Sequence, residues 1–137
     1  MAETRRIRFV GDSLLPKGLG VRYPGETLEK IMELETFAAP PQPGEHWIVV
    51  AGTNNVFKWA FEYEEACNAV MNQWPQVRFT FVVPFDISYA LFESDPAFAT
   101  YTPDSIDPDG HLNTKESTAF KTFLQSLAKR IGLRLFG

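Results

Sequence analysis

Apolar residues in this chain fall into short continuous runs, separated by segments in which they recur at helical spacing. The run Ile7-Arg8-Phe9-Val10 closes on Gly11 and predicts a short buried strand over 6–11. Trp47-Ile48-Val49-Val50-Ala51 is almost wholly apolar and predicts a strand over 46–51, covered on both faces as in the middle of a parallel sheet. A third strand is predicted over 77–83, ended by Pro84. Between them, Leu28, Ile31, Met32 and Leu34 space a helix over 26–35, with Glu26 and Glu29 in its first turn. Tyr63, Ala66, Cys67, Val70 and Trp74 stripe a helix over 60–74 that Pro75 stops. The last helix is predicted over 115–131, apolar at Phe120, Phe123, Leu124, Leu127 and Ile131. Asn113 or Thr114 caps its start, and Gly132 ends it.

The connections are equally marked. Pro16, Gly18, Gly20, Pro24 and Gly25 make 15–25 a loop, and Ala39-Pro40-Pro41-Gln42-Pro43-Gly44 is a stiff link too short to separate domains. Residues 85–110 read as irregular, and Leu133-Arg134-Leu135-Phe136 as a short edge strand or packed coil. Strands alternating with helices predict one α/β domain over 1–137, with a mainly parallel sheet.

Composition narrows the function. Twelve phenylalanines imply a Phe-rich core. A net charge of −4 argues against a nucleic-acid partner, and the Arg5-Arg6-Arg8 cluster is too short to reverse that. No run approaches the roughly 20 apolar residues of a membrane span, and the polar start Met1-Ala2-Glu3-Thr4 lacks a signal's apolar stretch, so an intracellular location is expected. Cys67 is the lone cysteine and is expected to be buried, which excludes an intrachain disulfide. No histidine and carboxylate set has ligand spacing, so neither metal nor cofactor is expected. His46 lies at the far end of its strand and reads as structural. Trp47, Trp59 and Trp74 read as packing residues, and Glu62, Glu64 and Glu65 as a solvated helix face.

The chemistry concentrates in three segments that follow predicted strands or precede the last helix: Gly11-Asp12-Ser13-Leu14, Gly52-Thr53-Asn54-Asn55 and Asp109-Gly110-His111-Leu112-Asn113. Reactive groups of a parallel sheet gather beyond the carboxyl ends of its strands. A serine hydroxyl needs a base to become a nucleophile, and His111 is of the right type. A carboxylate, Asp109 or Asp107, would orient the imidazole, while Asn54 and backbone N–H groups would face a developing oxyanion.

These blocks resemble the SGNH hydrolase superfamily, the GDSL esterases and lipases. That resemblance implies a three-layer α/β/α, flavodoxin-like fold with a reduced sheet. It also implies Ser13 as nucleophile, His111 as base, and an oxyanion hole from Ser13, Asn54 and a loop glycine. The glycine maps to Gly25, with Gly20 as second choice. Asn55 stands where the family usually has aspartate, and Pro108 occupies the acid's usual place three residues before the histidine. Either Asp109 or Asp107 serves from a displaced position, or the pair works as a Ser-His dyad. The scaffold is also short, lacking a helix and strand between Ser13 and Gly25 and a clear strand between Val83 and His111. The expected activity is hydrolysis of small, acetyl-type esters of a carbohydrate, lipid or other small molecule. A catalytically impaired binding module on the same fold is the alternative. A phosphate or nucleotide binder built on Gly18, Gly20 and Gly25 ranks below both, because their spacing fits neither the P-loop nor the dinucleotide fingerprint. Sequence leaves the oligomeric state open.

Overall fold

The computed structural model describes residues 6–87, 92 and 94–136. Five strands, β1 (Arg6–Gly11), β2 (Val21–Arg22), β3 (Glu45–Val50), β4 (Arg78–Val82) and β5 (Phe98–Ala99), form one sheet in the order β2-β1-β3-β4-β5. Every pairing among them is parallel, with Val10 opposite Val49 and Trp47 opposite Phe79 in the centre. Helices α1 (Leu28–Ala38) and α2 (Ala60–Gln73) cover one face and α3 (Thr114–Phe136) covers the other, giving three layers.

Alternation along the strands builds the two cores. Trp47 and Val49 face α1 and α2 and pack with Ile31, Tyr63 and Cys67. Ile48 and Val50 face α3 and pack with Phe120, Leu124 and Ile131. Aromatics fill both. Tyr63, Phe79, Phe81, Phe92 and Phe98 form a chain of ring contacts on the first face, and Phe85, Tyr101, Phe120 and Phe123 form another on the second. Burial raises the Cys67 thiol well above its ordinary range, which makes it a core residue rather than a reactive one.

Several element ends differ from the sequence reading, and one of the two caps it offered for the last helix is selected. The Thr27 hydroxyl accepts from the Lys30 N–H at 3.3 Å, so α1 begins at Leu28 and Glu26 stays outside it. At α3, Asn113 is the cap, its Oδ1 accepting from the Glu116 N–H at 2.8 Å. Gly132 does not end that helix, and 133–136 continue it instead of forming an edge strand or coil. A glycine inside a helix costs only about 1 kcal/mol relative to alanine. The two segments read as loops each hold a two-residue strand, β2 and β5, held by parallel pairing with β1 and β4. The polar start and Arg5 (residues 1–5), and residues 88–91 and 93 of the irregular segment, lie outside the described residues.

The chain leaves β1 across the α3 face, where Leu14, Leu15 and Leu19 pack, and returns over β1 through α1 on the opposite face. The order therefore reverses between β1 and β3, the switch point at which open α/β sheets bind ligands. Close packing on β1 requires two glycines. A Cβ at Gly11 would lie 2.4 Å from the Val50 carbonyl oxygen, and one at Gly20 would lie 2.1 Å from that of Phe9. Gly20 is thus accounted for by packing.

One charged group sits inside the sheet layer. Arg8 of β1 lies 4.0 Å above the Trp47 ring, pairs with Glu35 of α1 at 2.6 Å and with Glu45 of β3 at 3.1 Å, and donates to the Ala39 carbonyl. Both carboxylates are buried and further bonded. Tyr23 donates to Glu35, and the Trp47 indole and the Gln42 N–H donate to Glu45. Burial pushes the Glu45 carboxyl up, but those donors and Arg8 bring it below its usual value. Burial and the Glu35 bond push the Tyr23 phenol up to about 12. His46, at the start of β3, makes a 2.7 Å hydrogen bond with Thr80 on β4, in keeping with a structural role. Among the described residues no helix is long and apolar enough to cross a membrane.

Candidate active site

The turn after β1 is tied down on all sides. The Asp12 N–H donates to the Val50 carbonyl at 3.0 Å, the Leu14 N–H to Asp12 Oδ1 at 2.9 Å, and Arg22 Nη2 of β2 to the Ser13 carbonyl at 3.0 Å. This presents half-buried Ser13 beyond the carboxyl end of β1 with a fixed backbone. Its Oγ lies 2.9 Å from Nε2 of His111, 98 residues away. That distance is within hydrogen-bond range for transferring a proton.

His111 rides on a turn closed by its own backbone. The Asp107 N–H donates to the His111 carbonyl at 2.9 Å and the Gly110 N–H to the Asp107 carbonyl at 2.8 Å, with Gly110 at φ +84°. Asp109 accepts from the His111 N–H at 3.0 Å through Oδ1 and places Oδ2 3.5 Å from the ring Nδ1. Those contacts, the backbone bond foremost, hold the exposed Asp109 carboxyl below its usual range. Asp107 contributes its main chain to the turn, and among the described residues no hydrogen bond joins its side chain to the imidazole. Of the two acids open from sequence, Asp109 is therefore the one set against the ring.

Asn54 lies on the 3-10 turn Thr53–Asn55 that follows β3. Its side chain is exposed and Nδ2 donates to the Glu26 carbonyl at 3.1 Å, so it fastens this turn to the Gly25-Glu26 segment. Gly25 is exposed at φ +80°, with no atom within 4 Å of where a Cβ would stand. The structure thus joins Ser13, His111 and Asp109 in one cluster, and Asn54 to the loop of Gly25 in another. Among the described residues no hydrogen bond connects the two. Asn55 caps α1 from outside, accepting from the Leu28 N–H at 2.9 Å and donating to Glu29 at 2.6 Å. Glu62, expected to be solvated, instead accepts from the N–H groups of Lys58 and Trp59 at the start of α2.

Sequence reasoning gave no role to Asp12 or Arg22. Asp12 is 1% exposed, and its Oδ2 has no hydrogen-bond partner among the described residues. Burial pushes its carboxyl up to about 6, against the Leu14 N–H and the charges of His111 and Arg22. Because the folded value lies above the ordinary 3.8, the folded protein holds this proton more tightly than the unfolded chain. Stability from Asp12 is therefore fully present below pH 3.8 and lost as pH rises to about 6, by about 3 kcal/mol. Asp12→Asn is expected to raise the Tm above pH 6 and to flatten its fall between pH 4.5 and 6, measured by thermal denaturation across that range. An unchanged pH profile would contradict the assignment.

The three motif segments surround one small cleft. Leu14, Thr53 and Gly110, the chain neighbours of Ser13, Asn54 and His111, line it with Phe85, Asp86 and Ile106, enclosing about 180 Å³. A larger groove of about 820 Å³ opens at the amino ends of β3 and β4, beside His46, Arg78 and Thr80, away from Ser13. No protein-family model matches the chain, and no curated protein matches it either.

Proposed function

We propose that this chain is a serine ester hydrolase acting on small acyl esters of a carbohydrate, lipid or other small molecule. The observation that carries this reading is the 2.9 Å contact of Ser13 Oγ with His111 Nε2 at the switch point of the sheet. His111 Nε2 takes the hydroxyl proton as Oγ bonds to the ester carbonyl carbon. The tetrahedral intermediate then collapses, the alcohol leaves with the proton from His111, and acyl-Ser13 remains. Water, deprotonated by His111, attacks that ester, the bond from the acyl carbon to Oγ breaks to release the acid, and His111 returns the proton to Ser13 Oγ. Asp109 keeps Nδ1 protonated and Nε2 facing Ser13. The Ser13 N–H has no hydrogen-bond partner among the described residues, which suits it to receive the oxyanion. Gly25 and Asn54 are the other proposed donors; Asn54 Nδ2 gives one hydrogen to the Glu26 carbonyl and has a second to offer.

That engaged amide, with the exposed Asp109 3.5 Å from the ring, favours a second reading: a binding module on the same scaffold. Labelling with a fluorophosphonate probe separates the two. An enzyme yields an adduct mapped by mass spectrometry to Ser13, absent in Ser13→Ala. A folded protein that takes no label favours the binding module.

A further inference from the structure

We propose that the cleft beside Ser13 receives a short, uncharged, aliphatic acyl chain of the ester, with Ile106 as the wall that sets chain length. This rests on the hydrolase reading above. Position is the first support. The cleft is lined by the residues adjoining Ser13, Asn54 and His111, so a group bonded to Ser13 Oγ meets it before any other concavity described here. Chemistry is the second. Leu14 is buried, Phe85 is anchored edge-on against Phe120, and Ile106 is 45% exposed. An exposed isoleucine on a loop between proline and acidic residues has no core to serve. Here it completes an apolar wall.

Size and charge limit the occupant. The cleft, about 180 Å³, is close to the roughly 150 Å³ of an engineered apolar cavity that takes benzene. Chains of about four carbons fit on that comparison, whereas long fatty acyl chains do not. Asp86 at the rim disfavours an acyl group ending in a carboxylate. Gly110 leaves its side of the cleft free of any side chain.

The test is kcat/KM for p-nitrophenyl acetate, butyrate, hexanoate and octanoate, and separately for acetates of ethanol, butanol and hexanol. Wild type is expected to prefer butyrate. Ile106→Trp fills the cleft and should lower the butyrate-to-acetate ratio by about tenfold or more, the discrimination a methylene-sized change gives in an apolar pocket. Ile106→Ala should move the preference toward hexanoate. Phe37→Ser, on the exposed end of α1, serves as a control with wild-type ratios. If both Ile106 variants keep the wild-type acyl preference, or if the alcohol series shifts instead, the acyl assignment is overturned while the hydrolase stands. If wild type shows no Ser13-dependent hydrolysis of any ester, the enzymatic reading and this inference fall together.

Discussion

Ser13→Ala is expected to lower kcat/KM for p-nitrophenyl acetate by at least about three orders of magnitude, and His111→Ala by a similar factor. The two side chains share one proton across 2.9 Å, so neither is useful without the other. The double variant is therefore expected to be no slower than either single one, because residues acting as a unit are strongly non-additive. Additive losses would place them in separate roles. Asp109→Asn should cost far less, on the order of tenfold, since a carboxylate in water 3.5 Å from the ring orients weakly. Circular dichroism of each variant distinguishes lost chemistry from lost structure.

Arg8→Met is expected to destabilise the fold more than any surface change, by about 3–5 kcal/mol. The substitution leaves Glu35, with its side chain 5% exposed, as a buried carboxylate without its cation, and Glu45, 2% exposed, with only the exposed Arg6 guanidinium 3.6 Å away. Against the usual total of about 5–15 kcal/mol, that loss should lower Tm by roughly 10–15 °C. The sign of its pH dependence follows. Arg8 is among the groups that hold the Glu45 carboxyl below its usual value, so the deficit of the variant relative to wild type should shrink as pH falls. Glu35→Gln combined with Glu45→Gln in the Arg8→Met background should restore part of the loss at neutral pH. A variant as stable as wild type in a denaturant melt would show that the aromatic and aliphatic packing alone secures this layer.

This cluster also marks where sequence reading ends. Arg8 interrupts an otherwise apolar run, and its partners lie 27 and 37 residues away, so nothing local identifies them. The central strand at Trp47–Val50 and the helix through Tyr63, Cys67 and Val70 were legible because their burial follows the period of the apolar positions. Strands β2 and β5 are too short for any period to register. Gly132 resembles a helix end, yet Ile131 is buried against the sheet and the helix continues past it. At the site, motif spacing led to Ser13 and His111, which the structure brings together. The choice of Asp109 over Asp107 depends on how the Asp107–His111 turn closes, and the fastening of Asn54 to Glu26 depends on how two loops meet. Neither follows from counting residues.

The two-residue outer strands carry a consequence beyond the chemistry. A sheet margin is ordinarily a template on which another molecule can extend the ladder. Among the described residues each margin offers Val21–Arg22 or Phe98–Ala99 as its foothold. Little main-chain bonding can propagate from one copy to the next, so the economy of this scaffold also guards it against fibrous self-association.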